Sequence, residues 1–215
     1  MFNGFYPETV DFLWGIRMNN NREWFLAHKQ DYQRYLYEPM KELGAYLFES
    51  FREVPGMQLK VSRIYRDARL HHPDPYKESL WICIRREVDS WGEHPALCFE
   101  IVPEMVRYGF VLWRPRPEAM EAFRKEITAR PDKFLKLLAQ TEKATGMPMT
   151  FDCYKRPKPC ENPEIAPFFA WKNNICCIKE EPVGEEIFQP ELAERAQRLL
   201  TALLPWNEYW QSIIG

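Results

Sequence analysis

The chain has 215 residues, 46% hydrophobic and 28% charged, which is enough for one sizeable core and has the balance of a folded globular protein. A formal net charge of −2 excludes the global basic footprint of a nucleic-acid binder, so nucleic acid is not an expected partner. No run of about 18 apolar residues occurs, so no membrane span is expected.

The first residues, MFNGFYPETVDFLWGIR, carry neither a basic leader nor a small-residue cleavage site. Together with six cysteines and no Cys-x-x-Cys pair, this predicts reduced, buried thiols in a cytoplasmic protein and no structural zinc or other metal site. Aromatic residues make up 15% of the chain, with eight Trp, which predicts a large aromatic core or a groove lined by rings.

In chain order, residues 7–17 read as a helix with Pro7 in its first turn. Asn20 is the expected cap of a second helix, with Glu23 reaching back to the backbone. Apolar residues then recur at Tyr32, Leu36, Met40, Leu43, Leu47 and Phe51, a single helical stripe interrupted by Pro39. The pattern is one kinked helix or two helices joined near Glu38. After Pro55-Gly56 the period changes to two, and MQLKVSRIYR, LWICIRREV, LCFEIV and VRYGFVLW read as four strands of an antiparallel meander. The run Leu80 to Ile84 predicts a strand covered on both faces.

Helical patterns return in EAMEAFRKEITA and PDKFLKLLAQTEK. MTFDCYKRPKP reads as a strand ending in a stiff loop, PEIAPFFAWK as a short helix and NNICCIKEE as a strand. QPELAERAQRLLTALLPW reads as one last helix. The expected fold is α+β: a single domain over residues 1–215, with a mainly antiparallel sheet of about four to six strands packed against N-terminal, middle and C-terminal helices.

The segment RIYRDARLHHPDPYK, residues 63–77, concentrates charge. Arg63, Arg66, Arg69 and Lys77 face Asp67 and Asp74, an excess of cations if they converge. A guanidinium fork matches carboxylate or phosphate. Two readings stay open: a salt-bridged clamp that holds a loop, or a site for a small anionic ligand. In the second reading Tyr76 or Trp24 packs on the ligand's apolar part, and Asp67 orients an Arg or acts as a general base. Trp24 reads first as a core residue rather than as a ligand platform. His71 and His72 are too few, with His28 and His94 the only others, to predict a metal site.

Taken together, Asn20-Asn21 with Arg22 and Trp24-Phe25, then Tyr65-Arg66-Asp67-Ala68-Arg69, Pro75-Tyr76-Lys77 and late Lys155-Arg156-Pro157, resemble a bacterial conserved-hypothetical family classed as a domain of unknown function. The resemblance spans nearly the whole chain, and the Y-R-D-x-R to P-Y-K block is its specific part. The family pattern commonly continues F-S-x-D-K-x-P-Y-K. Here residues 70–77 are one position shorter and lack the middle lysine, as in a divergent branch. The resemblance implies an α+β domain and no particular activity, cofactor or catalytic residue.

WRPRP (113–117) and KRPKP (155–159) alternate cation and proline and read first as rigid exposed connections. Arg156 joins the candidate ligand-binding set if its segment folds back on residues 63–77. The functional expectation is a binder, or an enzyme, of a phosphate- or carboxylate-bearing small molecule. The alternative is a protein- or nucleic-acid-binding adaptor that uses an aromatic and basic-proline surface.

Overall fold

Six strands form one antiparallel sheet in the computed structural model, which describes residues 1–67, 73–88 and 90–214. They are β1 (Met57–Val61), β2 (Leu80–Arg86), β3 (Ala96–Ile101), β4 (Met105–Leu112), β5 (Thr150–Cys153) and β6 (Trp171–Pro182), in the order β1-β2-β3-β4-β6-β5. The first four are the expected meander. β6 then lies between β4 and β5, and β5 pairs with it antiparallel through an irregular register. β2 is buried at Leu80, Ile82, Cys83 and Ile84, as its continuous apolar run predicts. The α+β class is therefore as expected.

Packing divides the chain into two compact units. Met1–Ile84, Cys98–Tyr108 and Glu180–Arg198 form the first; Arg85–Leu97, Gly109–Lys179 and Leu199–Gly215 form the second.

In the first unit, α1 (Pro7–Met18) starts on proline, where a missing N–H costs nothing. α2 (Arg22–Ala27) is capped by Asn21, whose side chain accepts from the Trp24 N–H at 2.9 Å. The cap is thus one residue later than the expected Asn20, and Asn20 is free for another task. The helical path continues through α3 (Lys29–Asp31), a π-helical turn over Tyr32–Tyr37, and α4 (Glu38–Phe48). The interruption is local. Pro39 has no N–H for the carbonyl four residues back, that of Tyr35, and its ring crowds that turn. The Tyr35 carbonyl instead accepts from the fully buried hydroxyl of Thr9, which itself accepts from the Tyr6 N–H at 3.1 Å. Thr9→Val, nearly isosteric, is expected to destabilise the protein by about 1–3 kcal/mol through a buried carbonyl left without its donor, measurable as a lower urea midpoint at unchanged m-value. The stripe Leu36, Met40, Leu43 and Leu47 is fully buried, as its period requires.

In the second unit, α5 (Pro117–Ala129) and α6 (Pro131–Thr145) again start on proline, and α6 ends at Gly146 with φ +69°. The core is aromatic. Phe123 stacks on Trp210 at 4.6 Å and on Trp171 at 5.7 Å, and meets Phe134 edge-on at 5.5 Å. Residues Ala166–Ala170 form a 3₁₀ turn rather than an α-helix.

The C-terminal segment differs from its expectation. It is two helices, α7 (Glu191–Ala202) and α8 (Leu204–Ile214), because Pro205 in the first turn of α8 cannot donate the bond that would carry α7 onward. Among the described residues no helix is long and apolar enough to cross a membrane.

Candidate functional site

The charged segment lies between β1 and β2 in the first unit. Regular pairing stops at Ser62, whose N–H donates to the Trp81 carbonyl at 2.8 Å while its hydroxyl accepts from the Trp81 N–H at 2.9 Å. The strand therefore ends before Arg63, short of the MQLKVSRIYR span expected of it, and alternation of side chains along a strand does not set the directions of Arg63 and Arg66. One isolated antiparallel bridge follows, Tyr65 to Tyr76. Arg66 N–H donates to the Pro75 carbonyl at 2.9 Å, and Lys77 N–H to the Ile64 carbonyl at 2.7 Å.

Asn20 holds this bridge from the outside. Its Nδ2 donates to the Tyr76 carbonyl and its Oδ1 accepts from the Tyr76 N–H, both at 3.0 Å. The side-chain amide thus satisfies both backbone groups of one residue, as a neighbouring strand would. The Tyr76 ring is buried and stacks on Phe25 at 4.3 Å, with Tyr65 at 5.6 Å. Tyr32, buried at the same cluster, hydrogen-bonds the Ile64 backbone, and burial pushes its phenol pKa well up.

Charge is arranged around this frame. The Arg66 guanidinium stands 3.9 Å from Asp74 and 3.8 Å from Glu78, ion pairs longer than hydrogen bonds. Glu78 is held more tightly by Arg17, whose Nε donates to it at 2.7 Å, while the other end of Arg17 pairs with Glu104. The hydrogen bond to Glu104, with that to Glu78, raises the Arg17 pKa, and the same contact lowers that of Glu104. Lys77 differs. Its ammonium donates to the Arg63 carbonyl and lies 5.8 Å from the Trp81 ring centroid. Among the described residues it has no carboxylate within ion-pair distance. Burial lowers its pKa, and the neighbouring Arg66 and Lys60 lower it further.

Of the residues singled out from sequence, Arg66, Tyr76 and Lys77 come together on this hairpin. Arg63 and Asp67 are exposed on its first arm. Arg69, His71 and His72 lie outside the described residues. Trp24 packs on α1, stacked on His28 at 4.0 Å and close above Gly15, where a Cβ would meet its ring at 2.4 Å. Among the described residues no hydrogen bond or ring contact joins Trp24 to the hairpin. Arg156 belongs to the second unit, in a KRPKP segment exposed at every position. WRPRP runs into α5 through Pro117, with Arg116 paired to Glu93 at 2.5 Å.

Sequence reasoning did not foresee Arg17, Lys60, Glu78 or Glu104 as members of the network. Glu78 directly follows the Pro-Tyr-Lys block and is the one a closer reading of that motif would reach. The second unit has its own cleft, lined by Glu93, His94, Arg116 and Glu118, where burial depresses the His94 pKa. Burial pushes its Cys176 thiol up to about 11 and also raises that of Cys177, the opposite of a nucleophilic thiolate.

Fold and hairpin together define an α+β protein in which one irregular hairpin between two sheet strands carries clustered cations on an amide-anchored backbone. The chain belongs to the family of conserved hypothetical proteins DUF2461, whose model matches residues 8–209. No curated protein matches the chain.

Proposed function

We propose that the paired segments flanking the Tyr65–Tyr76 bridge bind a small anion, a phosphate- or carboxylate-bearing ligand, with Lys77 and Arg66 as the principal contacts and the exposed Arg63 as a further one. The observation that carries this reading is Lys77, an ammonium held partly out of water beside Arg66 and Lys60, with a backbone carbonyl as its hydrogen-bond partner. Such a cation is disfavoured by its surroundings, and an arriving anion reverses that: it pairs with the ammonium and returns its pKa toward the ordinary lysine value. Arg66 supports the reading for a related reason. Its carboxylates sit at 3.8 and 3.9 Å, so its donors can be recruited by a ligand without breaking a short bidentate pair.

Inorganic phosphate is the probe. It is expected to raise Tm saturably and to raise the Lys77 pKa, followed by ¹³C NMR of the lysine Cε. Lys77→Met is expected to fold and to bind phosphate about tenfold or more weaker, the worth of one charge-assisted hydrogen bond. Phosphate that leaves Tm and the Lys77 resonance unmoved, or that acts equally on Lys77→Met, refutes the reading.

A further inference from the structure

Among the described residues, the second unit holds one buried cation with no counter-charge. Arg124 sits on α5 in the buried stripe Met120, Phe123, Arg124 and Ile127, where the helical period calls for an apolar residue. It is 9% exposed, the one charged residue among the described residues that is buried. Yet its guanidinium makes no hydrogen bond and no ion pair among the described residues, and its Nη1 is covered without a partner. The contrast within the chain is sharp. Arg17, Arg86 and Arg195, with side chains 28%, 32% and 25% exposed, each pair with a glutamate. Burial makes an unpaired charge costly, so the most buried arginine is the one that most needs a partner.

What surrounds Arg124 describes that partner. The guanidinium carbon lies 5.8 Å from the ring centroid of Tyr154, and Lys158 of the KRPKP segment lies 5.9 Å from the same ring. Arg124 opens on a shallow groove formed with Lys125, Thr128, Ala129 and Phe169. A flat fork beside a phenyl ring, an alanine and a threonine matches a carboxylate on an apolar body: the fork takes both oxygens, and the apolar wall takes the rest. Apart from Arg124 and Lys125 at its edge, the groove offers Thr128 and the apolar Ala129 and Phe169, so a phosphate would present more acceptors than this wall can satisfy, whereas a carboxylate on an apolar body would not.

The geometry points to a binding site for an apolar monocarboxylate at Arg124, separate from the hairpin of the first unit and independent of its function. Benzoate is the probe, with inorganic phosphate in parallel and Arg124→Met as the variant. Methionine completes the apolar stripe, so Arg124→Met is expected to fold and to melt at or above the wild-type temperature. Benzoate is expected to raise the wild-type Tm saturably and to shift the Phe169 and Tyr154 resonances, with both effects lost in Arg124→Met. A wild-type protein that benzoate does not shift, or a shift that persists in Arg124→Met, overturns the site. An equal Arg124-dependent shift with phosphate overturns the assignment of an apolar monocarboxylate. Phosphate effects that survive Arg124→Met belong to the hairpin and leave the two tests distinct.

Discussion

Replacing Gly109 by alanine is expected to destabilise the protein by about 3 kcal/mol or more, enough to leave a domain of ordinary stability partly unfolded. Two independent causes add. Gly109 has φ +153°, outside the range that residues with a Cβ readily adopt. A Cβ there would also stand 2.0 Å from the carbonyl oxygen of Cys177 and 3.0 Å from its carbon, in the neighbouring strand β6. Both are backbone atoms of a sheet, so neither can swing away as a side-chain tip would. The control is Gly146→Ala. That glycine also has a positive φ, +69°, but a Cβ there meets nothing within 4 Å, so only the conformational cost applies, about 1 kcal/mol. Urea midpoints of the two variants decide the matter: equal losses would show that the approach to Cys177 is not what requires glycine at 109.

Asn20→Ala is expected to cost about 2–3 kcal/mol, because both backbone groups of Tyr76 lose their partner at once in a partly buried position. The effect is local before it is global. The Tyr76 amide, which donates to Asn20, should exchange with deuterium much faster, and Lys77, the next residue, should lose its fixed position beside Arg66. Phosphate binding by the hairpin should weaken in parallel. Asn20→Asp separates the two bonds. The carboxylate still accepts from the Tyr76 N–H, but it sets a charged oxygen against the Tyr76 carbonyl, so it should protect the amide and still destabilise. Unaltered exchange at Tyr76 in Asn20→Ala would rule out the anchoring role.

These two positions differ in how far sequence reasoning reaches them. Asn20 stands out in the N-N-x-R-x-W-F motif, and its neighbourhood reads correctly as the start of a helix. Which of two adjacent asparagines caps is not legible, because either side chain can accept from an N–H two or three residues on. The structure gives the cap to Asn21 and sends Asn20 to a residue 56 positions away. Gly109, in the middle of a strand pattern, suggests a close backbone approach in general. That the approaching atom belongs to Cys177 follows only from strand order.

The same division holds for the charged hairpin. The local concentration of Arg, Lys and Asp is plain in residues 63–77, as is the proline-marked turn. The pairing is not: Arg17 reaches Glu104, 87 residues away, and with its Nε also shares Glu78 with Arg66. Arg124 is the reverse case. Its place on the apolar stripe of α5 can be read from the sequence, but the lack of a counter-charge among the described residues cannot, since a carboxylate from any other element could have met it.

What the sequence by itself determined is the element menu and the fold class. Periods of two and of three to four residues are set by backbone geometry, and Pro7, Pro39, Pro117 and Pro131 act on the turns that contain them. Those effects are local, so they survive without knowledge of the fold. Only the tertiary structure decided the insertion of β6 between β4 and β5, the amide clamp on Tyr76, the cationic surroundings of Lys77 and the burial of Arg124. Each depends on which distant residues meet, and a pairing across tens of residues leaves no period in the chain that could announce it.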